Sequence, residues 1–152
     1  MPMSVQEISD RMEINNLLID YCGAVDARDI DAFDRLFTTD AYIDYTALGG
    51  IKGNLQEIKA YLKKALALFS NSQHLIANSR VWIDGDEATA RTICHNPMQL
   101  TQDDSSEYVM FFGLWYIDKL VRTEDGWRFK ERIEERCYDF NVPQEFKAAA
   151  TD

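Results

Sequence analysis

The sequence predicts an α+β domain in which three N-terminal helices pack on a strongly curved, cone-shaped antiparallel sheet. Apolar residues recur at helical spacing through residues 5–69, whereas residues 73–140 alternate apolar and polar side chains over four long segments. Turn-forming stretches, DGDE, QDDSSE and TEDG, separate these segments and indicate consecutive antiparallel hairpins. Helices followed by such a meander are typical of an α+β architecture.

Three helices account for the first half of the chain. The first covers residues 5–26, where Ser4 and Glu7 have the spacing of a capping box. The second is a short helix within ARDIDAFDRLF, and the third begins after Asn54, which is a good N-cap. The apolar stripes that we expect to face the core comprise Ile8, Met12, Leu17, Leu18, Tyr21 and Val25 in the first helix, Ile30, Phe33, Leu36 and Phe37 in the second, and Leu55, Ile58, Leu62, Leu66 and Phe69 in the third.

A short strand is predicted at 41–45, before the glycine-rich loop LGGIKG. The four long strands are predicted at about 73–83, 87–101, 107–123 and 127–140. Strands of this length need bulges and strong curvature to remain in one small domain. We expect the helices to cover the concave face of the sheet and the open end of the cone to form an apolar pocket.

We expect residues 1–152 to form one domain, with a core at about 5–140 and a loosely held tail at 141–152. The formal net charge of −10 argues against a nucleic-acid partner and against an anionic membrane surface. Three widely spaced cysteines without a C-x-x-C pair predict reduced thiols rather than a zinc or disulfide framework. The N-terminus has no signal-peptide pattern, so we expect a cytoplasmic protein.

Motifs for phosphate, dinucleotide, zinc-protease and serine-hydrolase sites do not occur, which leaves single polar residues as candidates. They are Tyr21, Asp26, Tyr45, His74, His95 and Asn96. Asn96 shares a strand face with apolar or small residues, whereas His95 shares one with Arg91. We therefore expect Asn96 to point into the pocket and His95 to point outward.

Three stretches, YCGAVDARDIDAFDRLFTTDAYIDY, QHLIANSRVWIDGDEATAR and FFGLWYIDKLVRTEDGWRF, resemble the SnoaL-like branch of the nuclear transport factor 2-like superfamily. The shared features are the pattern D-x-x-D-x-x-x-F-D-x-L-F-x-x-D-A at 26–41 and a DGW turn at 125–127. The resemblance implies a cone-shaped sheet with three helices. It does not imply one function, because the superfamily includes dehydratases, isomerases, cyclases, epoxide hydrolases and non-catalytic subunits.

Within the superfamily, the chain is similar to scytalone dehydratase and bile-acid 7α-dehydratase. The resemblance implies a catalytic pair of Asp26 and His74, assisted by Tyr21 and Tyr45. Another polar group of these dehydratases falls near Pro97, which cannot replace it. We expect the substrate-binding residues to be Asn96, Met98, Leu48 and Trp115.

The function that these resemblances imply is that of a cofactor-independent lyase, a dehydratase acting on an apolar cyclic hydroxy-carbonyl compound. Asp26 would fix the tautomer of His74, whose other ring nitrogen would remove a proton beside a carbonyl. A tyrosine hydroxyl, from Tyr21 or Tyr45, would donate to the enolate oxygen, and the imidazolium would then assist the leaving hydroxide. Neither a metal nor an organic cofactor is expected.

Other readings remain open. Asp26 can be a polar helix end and His74 a structural histidine, in a protein that binds an apolar ligand without converting it. An interaction subunit or a related isomerase or cyclase also fits the superfamily. Epoxide hydrolysis would need an Asp-Arg-Asp cluster in the pocket, and Arg91 is expected to point outward. A homodimer or larger homo-oligomer, formed through the outer sheet face, fits every reading.

Overall fold

The computed structural model describes residues 2–146, apart from the Glu145 side chain, and places three helices against a strongly curled sheet. The helices are α1 (Val5–Asp26), α2 (Phe33–Leu36) and α3 (Leu55–Ala65). The strands are β1 (Phe37–Asp44), β2 (Lys52–Asn54), β3 (Asn71–Ser72), β4 (Leu75–Asp84), β5 (Glu87–Thr101), β6 (Glu107–Thr123) and β7 (Gly126–Phe140). Short 3-10 turns lie at Ile30–Ala32, Thr46–Leu48, Leu66–Leu68 and Gln144–Phe146. The predicted fold class is confirmed.

The sheet has the strand order β2-β1-β7-β6-β5, and both β3 and β4 pair with the far edge of β5. Strands β4 to β7 form the predicted antiparallel meander. In contrast, β1 runs parallel to β7, so the sheet is mixed rather than wholly antiparallel. β1 also begins at Phe37, before the predicted 41–45, because its first residue already pairs with Phe129 of β7.

Bulges bend the long strands around the helices. The pairing register shifts between Ala77 and Ser79 and again between Gly113 and Leu114. At Gly113 the exposed ring of Tyr138 lies so close that a Cβ atom would be 2.3 Å from it, so a larger residue here would have to displace that ring. Such bulges increase twist and curvature locally, which is how strands of 15 and 17 residues remain in one small sheet.

The N-terminal ends of α1 and α3 lie where the capping residues in the sequence predict them. Ser4 accepts a hydrogen bond from the Glu7 backbone N–H, and Asn54 forms a complete capping box with Glu57. Among residues 2–146, no helix is long and apolar enough to cross a membrane. The predicted loose tail at 141–152 lies partly outside the described residues. In its described part, Val142 is buried and Phe146 packs against Phe69.

The start of α1 differs from the prediction. Ile8 and Met12 were expected to face the core, but they are 43 and 63 % exposed, respectively, so this prediction is wrong. Asp10, between them in the sequence, is the residue that points into the protein, and it is 2 % exposed. Its carboxylate is satisfied there by the Arg122 guanidinium and by Nε1–H of Trp127, at 3.1 Å.

This buried carboxylate links α1 to the turn between β6 and β7. Hydrogen bonds from Arg122 hold the pKa of Asp10 below its ordinary value, although burial acts in the opposite direction. Asp10 is therefore ionised in the folded protein wherever an exposed aspartate would be. Its contribution to stability is present above the ordinary aspartate pKa and is lost as the pH falls through the lowered pKa.

Replacing Asp10 with alanine leaves the Trp127 N–H without its acceptor and should lower the free energy of unfolding by about 1–3 kcal/mol. Urea unfolding at neutral pH measures this loss, and the difference from the wild type should shrink as the pH is lowered. Asp86→Ala is the matched control, because that carboxylate also pairs with Arg122 but is 82 % exposed. Equal losses for the two variants would show that burial of Asp10 is not what matters.

Candidate active site

An apolar cavity of about 490 Å³ opens between α1, α3 and the concave face of the sheet. This volume lies in the range of small-molecule sites. Its lining includes Tyr21, Val25, Tyr45, Leu48, Tyr61, Leu62, Leu66, Phe69, His74, Asn96, Met98, Met110, Phe112, Glu134 and Phe146. A more open groove of about 660 Å³ runs along α1 beside the β6–β7 turn, and it contains none of the predicted site residues.

Asp26 and His74 form a hydrogen-bonded pair at the cavity wall. Asp26 is the last residue of α1, and His74 directly precedes β4. Nδ1 of His74 lies 2.6 Å from Oδ1 of Asp26, and the His74 backbone N–H donates to Oδ2 at 2.8 Å. Because the ionised carboxylate can only accept, Nδ1 carries the proton of the neutral ring. This leaves Nε2 as the basic nitrogen, and the side chain is 6 % exposed.

Ser72 binds the Asp26 carboxylate directly, and Arg28 in turn binds Ser72. Ser72 donates to Oδ1 at 2.9 Å, and Arg28 donates to the Ser72 hydroxyl at 2.6 Å and to the Val25 and Asp26 carbonyl groups. Partial burial raises the pKa of Asp26, but the hydrogen bonds from His74 and Ser72 outweigh it, so the net direction is downward. The group is therefore an anion at neutral pH and can orient the imidazole.

Tyr21 and Tyr45 meet through their hydroxyl groups at the same cavity. Their oxygens are 2.6 Å apart, and the residues are 2 and 4 % exposed. Burial raises the pKa of both phenols above the ordinary value, so both remain neutral. One hydroxyl donates to the other, which leaves the second proton available for a ligand.

A buried ion pair, formed by Arg132 and Asp118, packs against the ring of Tyr21. The Arg132 guanidinium lies 4.0 Å from the ring centroid of Tyr21 and 4.1 Å from those of Tyr116 and Phe129. It makes two 2.8 Å hydrogen bonds to Asp118, and both side chains are fully buried. Sequence analysis did not identify this pair. Since Asp118 and Arg132 do not line the cavity, they do not supply the Asp-Arg-Asp cluster that epoxide hydrolysis would need in the pocket.

Of the predicted substrate-binding residues, Leu48, Asn96 and Met98 line the cavity. Trp115 does not, and that prediction is wrong. Its neighbours Leu114 and Tyr116 face the core, so strand alternation turns Trp115 to the outer face, where the Arg91 guanidinium stacks on it at 3.8 Å.

Among the residues that the structure describes, Asn96 and Glu134 are polar side chains at the cavity whose carboxyl or amide oxygens accept no hydrogen bond. Asn96 is 7 % exposed, and its Oδ1 makes no hydrogen bond. Glu134, which sequence analysis missed, lines the cavity from β7, and burial raises its pKa to about 8. The one available signal was its position two residues after Arg132, on the inward face of a strand. His95 lies on the outer face, as expected, with its ring against Phe111.

Within residues 2–146, no group of three histidine, cysteine, aspartate or glutamate side chains is placed to hold a metal ion.

A family model described as the SnoaL-like domain matches residues 6–133. The chain belongs to the SnoaL-like domain family. This places it in the nuclear transport factor 2-like superfamily, as the resemblance implied. Over 136 residues, this SnoaL-like protein is 51 % identical to Rv2910c of Mycobacterium tuberculosis, a protein without a described function. That match covers 90 % of this chain and 91 % of the relative.

Solved structures share the fold of this SnoaL-like protein. The Kfla4162 protein from Kribbella flavida is 27 % identical, with a TM-score of 0.81 over 89 % of this chain and 95 % of that chain. A scytalone dehydratase candidate from Novosphingobium aromaticivorans is 16 % identical, with a TM-score of 0.83 over 99 % of each chain. The hexachlorocyclohexane dehydrochlorinase LinA type 2 is 16 % identical, with a TM-score of 0.75 over 95 % of this chain and 96 % of that chain.

A nitrogen-15 NMR titration of the imidazole rings tests the geometry of the pair without a substrate. We expect the neutral His74 ring to remain in the Nδ1–H tautomer, because Asp26 accepts that proton. Asp26→Asn should mix the two tautomers, and His95→Gln assigns the signals. A His74 spectrum that is identical in the wild type and in Asp26→Asn would contradict the pairing.

Proposed function

We propose that this SnoaL-like protein is a cofactor-independent lyase that removes water from an apolar cyclic hydroxy-carbonyl compound. The observation that carries the proposal is the fixed Asp26–His74 pair, with Nε2 as the free basic nitrogen, at the wall of an apolar cavity. A titratable pair with this geometry inside a cleft is a typical catalytic arrangement.

The reaction begins with a proton transfer. Nε2 of His74 takes a proton from the carbon beside the carbonyl group, and Asp26 stabilises the imidazolium that forms. The tyrosine hydroxyl that is not engaged in the 2.6 Å contact between Tyr21 and Tyr45 donates to the enolate oxygen. The enolate then expels the hydroxyl group from the neighbouring carbon, and the His74 imidazolium gives its proton to the departing oxygen, which yields water, an unsaturated carbonyl compound and the neutral imidazole.

The cavity supports a ring-shaped, uncharged substrate. Among the described residues its lining is dominated by apolar and aromatic side chains, and its lysine, Lys64, is exposed to solvent. A small apolar ring gains free energy by leaving water for such a surface. The lyase-like names of two structural neighbours, a scytalone dehydratase candidate and a dehydrochlorinase, agree with elimination chemistry.

The proposal is tested with β-hydroxycyclohexanone and β-hydroxytetralone, followed by the absorbance of the enone product. His74→Ala and Asp26→Asn should each reduce kcat/KM, the former by about 10²–10⁴-fold, because each removes part of one proton-transfer unit. The double variant should lose little more than His74→Ala alone. A wild-type protein that neither forms enones nor exchanges the α-protons of these ketones with deuterated water would contradict the proposal.

Binding without turnover is the alternative function. It predicts that the same ketones bind, that His74→Ala changes affinity alone, and that no α-proton exchanges. Self-association and a cytoplasmic location remain predictions, which sedimentation and fractionation measure.

A further inference from the structure

Glu134 lies in the row of inward-facing residues that crosses the sheet beside the tyrosine pair. It pairs across β6–β7 with Tyr116, and the register of β1 with β7 places it next to Tyr45 on its other side. Its side chain lines the same cavity as His74. Within residues 2–146, no hydrogen-bond donor reaches its carboxyl group.

Arg132 lowers the pKa of Glu134 but does not outweigh its burial, and the exposed Lys64 is the lysine of the cavity lining. Arg132 stands two residues earlier on the same strand, but its guanidinium is held by both oxygens of Asp118 and is fully buried. Glu134 is half-buried, and an ionised carboxylate beside apolar side chains without a hydrogen-bond donor is disfavoured, which favours the protonated form. This is reflected in the pKa of Glu134, which burial raises to about 8.

The site therefore has two carboxyl groups with opposite properties, Glu134 in the cavity lining and Asp26 hydrogen-bonded to His74. The pKa of Asp26 is lowered by hydrogen bonds, whereas that of Glu134 is raised by burial. Where the environment lowers the pKa of one carboxyl group and raises that of another, the first is suited to be the anionic partner of a base and the second to be a general acid.

We propose that Glu134 is the general acid that protonates the leaving hydroxyl group. This rests on the proposed function and changes one step of it, because sequence analysis gave that proton to the His74 imidazolium. His74 takes the α-proton, the C–O bond breaks with its electron pair on oxygen, and the Glu134 proton completes the water molecule. A water then returns the proton from the imidazolium to the Glu134 carboxylate.

The sheet topology supports two separate proton-transfer groups. His74 precedes β4 and Glu134 lies on β7, with β5 and β6 between them. Three strand spacings of about 4.8 Å separate the two strands along the sheet. Curvature makes the distance across the cavity shorter, so the two side chains approach a ligand from different sides. A base and an acid placed in this way reach two different atoms of one ring.

The test compares two leaving groups on one ring. β-Hydroxycyclohexanone releases hydroxide, which needs a proton, whereas β-(4-nitrophenoxy)cyclohexanone releases a stable phenolate, which does not. Glu134→Gln should slow loss of water by about 10²–10⁴-fold and leave nitrophenolate release nearly unchanged. His74→Ala should slow both reactions. Glu135→Gln is the control, because Glu135 is the exposed neighbour that pairs with Arg91, and it should slow neither.

The pH profile gives a second readout. Loss of water should fall as the pH rises through about 8, because Glu134 must carry its proton. Nitrophenolate release should show no such alkaline limb, and Glu134→Asp should retain the limb with reduced activity. Thermal unfolding at alkaline pH checks that Glu134→Gln is folded, and its Tm should be no lower than that of the wild type, since the amide avoids burying a charge.

Two outcomes would overturn the role of Glu134. One is equal slowing of both leaving groups in Glu134→Gln, which would indicate a positioning role. The other is an unchanged rate of water loss. If Glu134→Gln is unfolded, the same comparison is made with Glu134→Asp, and loss of its alkaline limb would overturn the proposal. Failure of the proposed lyase function can be distinguished from failure of the Glu134 role, because His74→Ala would then slow neither reaction.

Discussion

The hydrogen bonds between Asp26 and His74 are the contact on which the rest of the site depends. They join the last residue of α1 to the residue directly before β4, although 48 positions separate the two in the chain. The side-chain bond orients the imidazole, and the backbone bond fixes where β4 begins. Ser72 donates to the same carboxylate, and Arg28 donates to Ser72 and to the carbonyl groups at the end of α1, so the cavity wall and the end of α1 form one network.

A second constraint is a positive charge buried in a chain whose net charge is −10. Arg132 lies within 4.1 Å of three aromatic ring centroids and pairs with Asp118 away from water. Cation–π contact and a two-point ion pair together satisfy most of a guanidinium that would otherwise be costly to bury. The ring of Tyr21 is held on this cation, which keeps its hydroxyl group at the cavity beside Tyr45.

Turn chemistry and periodicity were sufficient to predict the meander of β4 to β7 and the helices α1 and α3. The parallel pairing of β1 with β7 was not predictable, because no local pattern specifies a partner so distant in the chain. The inward position of Asp10 could not be predicted from the sequence for a related reason. A carboxylate among apolar residues is expected to face water unless its partners, here Arg122 and Trp127, are known.

The candidate site likewise contains residues that the sequence predicted and residues that it did not. Family resemblance identified Asp26, His74 and the two tyrosines; His74 and the tyrosines line one cavity, and Asp26 is hydrogen-bonded to His74. Glu134 was missed because the run ERIEER reads as an exposed, charged strand. Its inward direction depends on the bulges of β7 and on the helices that cover that face. Trp115 was misplaced because an aromatic-rich strand supplies side chains to both faces.

The backbone hydrogen bond from His74 to Asp26 has a consequence for how this scaffold can diverge. Every amino acid except proline has a main-chain N–H, so a substitution at position 74 keeps this anchor between α1 and β4. The fold can thus lose its imidazole without losing the attachment that shapes the cavity. A change at position 74 would therefore separate the proposed proton transfer from the architecture of the pocket.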